Sequence, residues 1–315
     1  MSIDELMTFN QNWGLAFRLN KSVSKAIAEI RNNSTPLASL CPDISQGLIA
    51  YDKYRGQSKD VIASRAYHYD EYRPGLKKWL RGEDITRYNV KWNGKQFIDY
   101  CDGIANPRDP KFFIGHRVLI REITNPSVYS GFTEDELYND PSILIVKTDN
   151  GHLSGLALES ILNSEISSFY HFNFSPKATK GEFPKILIAD LKNFPIKNNV
   201  ASFVHHLILL NQYIKQLLKE SGEHHLQCSF FDQLVSGVIY EVYFPNEIKA
   251  ANKEILSHLG KLIPIADNMS EEEKLAVIQR AFDHLYDPRH PVRNNLETLD
   301  SVEVVHTIRE ALKRK

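Results

Sequence analysis

The densest mixture of side chains able to hold a nucleic acid lies in residues 75–100, GLKKWLRGEDITRYNVKWNGKQFIDY. There Lys77, Lys78, Arg81, Arg87, Lys91 and Lys95 interleave with Trp79, Tyr88 and Trp92. Cationic side chains hold phosphates or reach guanine edges, and aromatic rings pack on sugar or base. In a half-buried strand the same rings serve as core, so the spacing leaves both roles open.

Patterns that would carry catalysis are sparse. No G-x-G-x-x-G or Walker A loop brings a glycine-rich turn to a helix N-terminus where a nucleotide phosphate would sit. His205-His206 and His224-His225 are the dense histidines, but neighbours on a helix point about 100° apart and do not readily share a metal. Pro42-Asp43 with Asp109-Pro110-Lys111 mimics the acid and acid-x-lysine pattern of Mg²⁺-dependent nucleases. The separation of 66 residues is long for that pattern, and Pro110 stands where a strand residue belongs. Asn106-Pro107 is followed by Arg, and Asn125-Pro126 by Ser, so neither is the Asn-Pro-Pro-aromatic motif of amino-methyltransferases. Cys41, Cys101 and Cys228 lie far apart and form no C-x-x-C pair, against a zinc ribbon or a disulfide scaffold. No catalytic or metal site is expected, and no cofactor.

Two compact units are the expectation for 315 residues. With 42% hydrophobic and 24% charged residues the composition is that of an ordered globular protein. The N-terminus carries early acids without an apolar core of signal length, and no run approaches 18 apolar residues. The chain is therefore expected in a reducing cytoplasm, without membrane partners. A formal net charge of −1 hides an asymmetry: residues 50–125 hold 15 Lys and Arg against 10 Asp and Glu, whereas residues 222–315 hold 11 against 15. The basic surplus lies in the front half, as local binding to a polyanion requires, although five charges over 76 residues also suit an ordinary solvated face.

These residues need elements to position them. Residues 1–36 read as a lead-in, with apolar Leu6, Phe9, Trp13, Leu15 and Phe17 and then a helix on Val23, Ile27 and Ile30 that Asn32, Asn33 and Pro36 end. From Leu37 short extended runs dominate: 88–92, 96–101, 117–123, 142–148 and 185–191, with Asn93-Gly94 predicting a hairpin between the first two. One helix, 156–172, interrupts them. After Pro195 the pattern turns helical. Phe203, Leu207, Leu210, Ile214 and Leu217 mark a seam that suits either a coiled coil or packing within the domain, and Gly222 stops it. Helices follow at about 229–243, 246–259, 271–286 and 301–313, two opened by capping boxes at Ser270 with Glu273 and Asp300 with Glu303. The fold class is α+β: a mixed, strand-rich domain at 37–198, a connecting helix at 199–222 and an α-helical domain at 223–315.

Five pieces in order resemble the TaqI-like C-terminal specificity domain, the target-recognition region of bacterial type IIG restriction-modification enzymes and related DNA methyltransferases. They are Ser45-Gln46-Gly47-Leu48; Arg81-Gly82-Glu83-Asp84-Ile85 with Tyr88; Val118 to Ile123; Ile161-Leu162-Asn163-Ser164; and Phe183 to Ile186 with Phe194-Pro195-Ile196. The tail, at 230–259 and 285–310, is similar to the helical extension of such enzymes. The resemblance implies that the globular part enters the major groove of double-stranded DNA while helices fix it relative to a methyltransferase or endonuclease partner, domain or subunit. Such enzymes place those catalytic parts ahead of this region, and their motifs are not in this chain, so the work of methyl transfer or scission is expected elsewhere. DNA contacts are expected from Arg81, Arg87, Lys91, Arg117 and Arg121 on the strands and from Asn173, Lys177, Lys180 and Lys185 in the 173–185 loop. Two alternatives stand beside this reading: a Mg²⁺-dependent nuclease using Asp43, Asp109 and Lys111, and a protein-assembly factor led by the acidic helical half.

Overall fold

The computed structural model describes residues 20–149, 151–178, 183–220 and 224–313. Its centre is a four-stranded antiparallel sheet of β2 (Ile44–Gln46), β8 (Arg117–Arg121), β9 (Ser130–Thr133) and β11 (Ile143–Lys147), in the order β2-β11-β8-β9. Both faces of this sheet are covered, which explains its near-continuous apolar sequence. Strand alternation divides the two faces cleanly. Val118, Ile120, Leu144 and Val146 enter a large core, whereas Leu119, Ile143 and Ile145 enter a smaller one with Leu48, Trp79 and Ile98.

The large core is mostly helical. It joins α1 (Lys21–Arg31), α2 (Gly155–Asn163), α3 (Glu165–Phe174), α4 (Val204–Lys219), α5 (His225–Tyr243), α6 (Glu271–Leu285) and α7 (Glu303–Lys313). The expected first helix is present: Asn20 caps it by accepting from Val23 N–H at 2.8 Å, and Val23, Ala26, Ile27 and Ile30 form its buried face. Lys197 donates to the carbonyls of Glu29 and Asn32 at its C-terminal end, a cation where the helix dipole favours one. Lys197 lies on β12 (Pro195–Lys197), which pairs with β1 (Ser34–Pro36). Apolar residues from α1 through α7 thus belong to one continuous core, and the boundary expected at 198 falls inside it.

Beyond the other face of the central sheet lies a small lobe. Its sheet has the order β10-β4-β7-β3, with β3 (His68–Tyr69), β4 (Lys77–Leu80), β7 (Phe97–Ile98) and β10 (Tyr138–Asn139); β10 runs parallel to β4 and the other pairs are antiparallel. A separate hairpin, β5 (Ile85–Thr86) and β6 (Asn89–Val90), turns at Arg87-Tyr88.

Several local expectations are corrected. The Asn93-Gly94 turn exists, with Gly94 at φ +81° and Asn93 Oδ1 accepting from Lys95 N–H, but it joins no paired strands: β6 pairs backwards to β5 and β7 pairs with β4 and β3. The 185–191 run is a single bridge, Lys185 to Ile123, followed by a short helix at Ile188–Lys192. The helix expected at 156–172 is two, because Ser164 leaves helical geometry and caps α3. The stretch 246–259 holds only Pro245–Ala250 as α-helix, ending where Asn252 takes a positive φ. Ser270 and Glu273 do form a capping box, whereas Asp300 sits in the turn before α7 and takes the His306 ring at 3.0 Å. The α4 seam from Phe203 to Leu217 is buried within the chain's own core, and Gly222 lies outside the described residues.

Candidate nucleic-acid interface

Register fixes which side chains of the small sheet point outward. His68, Ile98, Lys77 and Trp79 share the face toward the small core, while Tyr69, Phe97 and Lys78 share the opposite one. On that outer face the Lys78 ammonium lies over the Trp92 ring at 5.1 Å and the Arg73 guanidinium over Tyr69 at 4.9 Å. Trp92 and Tyr72 flank Phe97 at 5.1 and 5.5 Å between ring centres. Tyr72 is 66% exposed, and Arg73, Lys78, Lys91 and Lys95 are all exposed. Cations stacked on rings keep their charge, and the solvent side of each pair remains open to a phosphate or a base. The preceding loop adds Lys53 over the 84%-exposed Tyr54, together with exposed Arg55, Lys59 and Arg65. Sequence reading missed this loop, although KYRGQSK (53–59) and YHYDEYR (67–73) repeat the basic and aromatic interleaving seen at 75–100.

The residues expected to contact DNA divide. Lys91 is exposed beside this face, and Arg81 lies half-buried at a cleft next to it. Arg121 sits half-buried on the central sheet, 5.7 Å from the Tyr129 ring. Lys177 is exposed on the far loop and Lys180 lies outside the described residues.

Four others are taken up by the protein itself. Arg117 is fully buried and donates to the carbonyls of Gly115, Asp135 and Leu137; burial pulls it down to about 10, and it remains charged. Arg87 donates to Asn163 O at 2.6 Å and to both Asp232 oxygens at 2.6 and 2.8 Å. Burial opposes its charge, and Asp232 more than restores it. Asn173 is buried and donates to Phe169 O within α3. Lys185 pairs with Glu122 at 3.0 Å. Arg117, Arg87 and Asn173 thus each spend hydrogen bonds on partners inside the fold.

The motifs that carried the resemblance are scaffold as well. A Cβ on Gly47 would stand 2.0 Å from the Asp140 carbonyl oxygen, so only glycine fits there. Asp84 accepts from the Arg81 N–H at 2.7 Å and Gly82 N–H donates to Ser142 Oγ at 2.9 Å, which fixes the turn between β4 and β5. The Asn163 amide bridges both backbone groups of Ser130, at 2.9 and 3.0 Å, and so docks α2 against β9. Phe194-Pro195-Ile196 supplies β12.

The nuclease-like residues meet only in part. Lys111 Nζ lies 2.9 Å from Asp43 Oδ1, while Asp109 spends its carboxylate on the Lys111 N–H as the cap of a short turn. Among the described residues no three His, Cys, Asp or Glu side chains are placed to hold a metal, and no helix is long and apolar enough to cross a membrane.

Comparison with known proteins matches residues 77–196 to the TaqI-like C-terminal specificity domain. A putative type II restriction enzyme and methyltransferase of Methanocaldococcus jannaschii, RM.MjaORFECS2P, is 25% identical over 202 residues, which is 61% of this chain and 16% of that protein. The chain therefore spans about a sixth of the length of that relative. The solved structure of the type IIL restriction-modification enzyme MmeI in complex with DNA aligns with 89% of this chain and 36% of that chain, at a TM-score of 0.32 and 10% identity. The similarity to the TaqI-like C-terminal specificity domain thus covers residues 77–196, less than half of the chain.

Proposed function

We propose that this chain recognises a short sequence in duplex DNA as the specificity part of a restriction-modification system, and that methyl transfer or cleavage is performed by a partner domain or subunit. The observation that carries this reading is the outer face of the small sheet, where Lys78 on Trp92, Arg73 on Tyr69 and exposed Tyr72 beside Phe97 form one basic, aromatic surface, with exposed Lys91 and Lys95 near Trp92 in sequence. The match over 77–196 supports it, since the segment begins on β4 and includes Lys78, Lys91, Trp92 and Lys95. The helical core behind the central sheet supplies a rigid mount that a catalytic partner could hold. Binding of a randomised duplex pool tests the proposal. Selective retention of one short sequence, with affinity falling steeply as salt rises, is the expected result. Indifference to DNA at low salt would overturn it, and sequence-blind binding would remove the specificity role.

A second reading, a Mg²⁺-dependent nuclease, has the Lys111–Asp43 pair in its favour. Cleavage of duplex DNA on addition of Mg²⁺, abolished by Asp43→Asn, would establish it; an intact duplex under those conditions leaves Asp43 and Lys111 as a surface ion pair.

A further inference from the structure

Beside the outer face, a cleft of about 220 Å³ opens between β3, β4 and the turn before them, lined by Ser64, Arg65, His68, Tyr69, Asp70, Arg81 and Gln96. Three features set it apart from the surface around it. First, neither the Arg65 nor the Arg81 guanidinium has a hydrogen bond or ion pair among the described residues, yet both stand close enough to His68 for their charge to bear on its ring. Second, His68 Nε2 and Gln96 Oε1 are buried without any hydrogen-bond partner, and orphaned buried polar atoms call for a reason. Third, Arg65 adopts a left-handed backbone, φ +50°, a conformation that β-carbon-bearing residues other than Asn and Asp rarely take.

The proton on His68 follows from its neighbours. Tyr51 Oη accepts from the Tyr67 N–H at 2.9 Å and lies 2.8 Å from His68 Nδ1. With its oxygen already accepting a backbone proton, the Tyr51 hydroxyl is free to donate its own to Nδ1. That places the ring proton on Nε2, the atom without a partner. Burial, reinforced by Arg65 and Arg81, pushes the ring's pKa down to about 4, so it stays neutral and keeps this tautomer at physiological pH. The cleft therefore joins a neutral His68, whose Nε2 is closed to solvent, to two guanidiniums that make no hydrogen bond or ion pair among the described residues. Asp70 is the sole carboxylate in the lining, while Asp84 and Asp140 lie close enough behind it for the Arg81 charge to bear on them.

We propose that this cleft seats one phosphate of the DNA backbone, its oxygens shared between the Arg65 and Arg81 guanidiniums, with the neutral His68 ring as the adjoining reporter group. This assignment rests on the DNA-binding reading above and gives it a fixed point. A phosphate held here would set the register of the duplex on the adjoining Tyr69, Tyr72 and Lys78 face while carrying no sequence information itself.

The test has two arms on the full chain. In the first, long-range ¹H–¹⁵N spectra follow the His68 ring nitrogens as inorganic phosphate is added. The expected result is an Nε2–H tautomer whose Nε2 shift moves saturably with phosphate in the native chain and not in Arg81→Gln. In the second, duplex affinity is measured across salt concentrations for the native chain, Arg81→Gln and Arg65→Gly. Each variant should bind about fivefold to tenfold more weakly to every duplex alike, with the salt slope reduced by about 0.9. Arg65→Gly guards against misfolding, since glycine suits a left-handed backbone and the melting temperature should not fall. Native duplex binding with unchanged slopes in both variants and no phosphate effect on His68 would overturn the cleft assignment and leave the DNA reading standing. A phosphate effect on His68 in a chain that binds no duplex would overturn both the DNA reading and the assignment of this phosphate to a backbone.

Discussion

The Arg87 guanidinium reaches both oxygens of the Asp232 carboxylate, at 2.6 and 2.8 Å, and so ties the tip of the β5–β6 hairpin to the middle of α5, 145 residues later in the chain. Around this pair, Tyr88 Oη donates to Asp232 Oδ1 at 2.9 Å and Lys215 Nζ donates to Tyr88 O at 3.0 Å. Tyr88 holds φ +59°, a costly conformation for an aromatic residue, which the surrounding contacts maintain. A short hairpin beside the central sheet is thereby locked onto the helical core.

Asp232→Ala leaves a half-buried guanidinium facing a void, and should lower unfolding free energy by about 2–4 kcal/mol in urea titration. Arg87→Ala should weaken DNA binding only through this loss of anchoring. Its salt slope should match that of the native chain, because Asp232 already pairs the Arg87 charge; a reduced slope would return it to the contact surface.

Lys78→Ala removes an exposed cation from the Trp92 ring. Folding stability should change by less than about 0.5 kcal/mol, while the salt slope of duplex binding drops by about 0.9. Equilibrium binding at several salt concentrations reads both the affinity and the slope. An unchanged slope would take the outer face of the small sheet out of the interface.

His68 makes the small lobe sensitive to acid. Burial first, then Arg65 and Arg81, bring its folded pKa to about 4 against 6.5 for a free histidine. Between those values the unfolded chain binds the proton that the folded chain refuses. The contribution of His68 to stability is thus fully present above pH 6.5 and declines as pH falls toward 4. The loss should amount to about 1–2 kcal/mol after allowance for partial exposure. Urea unfolding from pH 4 to 7 should show a shallower pH dependence for His68→Gln than for the native chain; parallel curves would exclude this group as the source.

Glu159 is fully buried, accepting from Phe132 N–H at 2.6 Å and pairing with Lys215 at 3.1 Å. Burial raises its pKa and Lys215 partly offsets that rise. A folded pKa above the unfolded value means this group favours the folded state in acid and less so as pH climbs through its folded pKa. Lys215→Met should sharpen that trend, costing about 3–5 kcal/mol at pH 7 and less at pH 5. Thermal melts at the two pH values measure the difference.

Gly47→Ala places a methyl group 2.0 Å from the Asp140 carbonyl oxygen, which belongs to backbone and cannot swing aside. The central sheet must shift at the β2 edge, and a loss of about 3 kcal/mol is expected. Native-like stability of this variant by calorimetry would contradict the close approach.

Much of the fold was legible in residue order. The Val23, Ile27, Ile30 spacing, the apolar runs at 117–123 and 142–148 and the α4 seam are local periodicities, and each became the element it predicted. The pieces that carried the resemblance include residues that meet local demands of the scaffold: Gly47 a close backbone approach, Asp84 and Asn163 hydrogen bonds, and Pro195 a strand pairing. The fate of individual cations was not legible. Arg87 and Lys78 stand alike in one basic, aromatic run and Arg117 opens an apolar strand, yet Arg87 anchors a hairpin, Lys78 lies open on a ring and Arg117 is buried among carbonyls. Tertiary structure decided between them, because what frees or engages a guanidinium is the set of acceptors within 3 Å of it. For Arg87 that set includes Asp232, carried in from a helix 145 residues away.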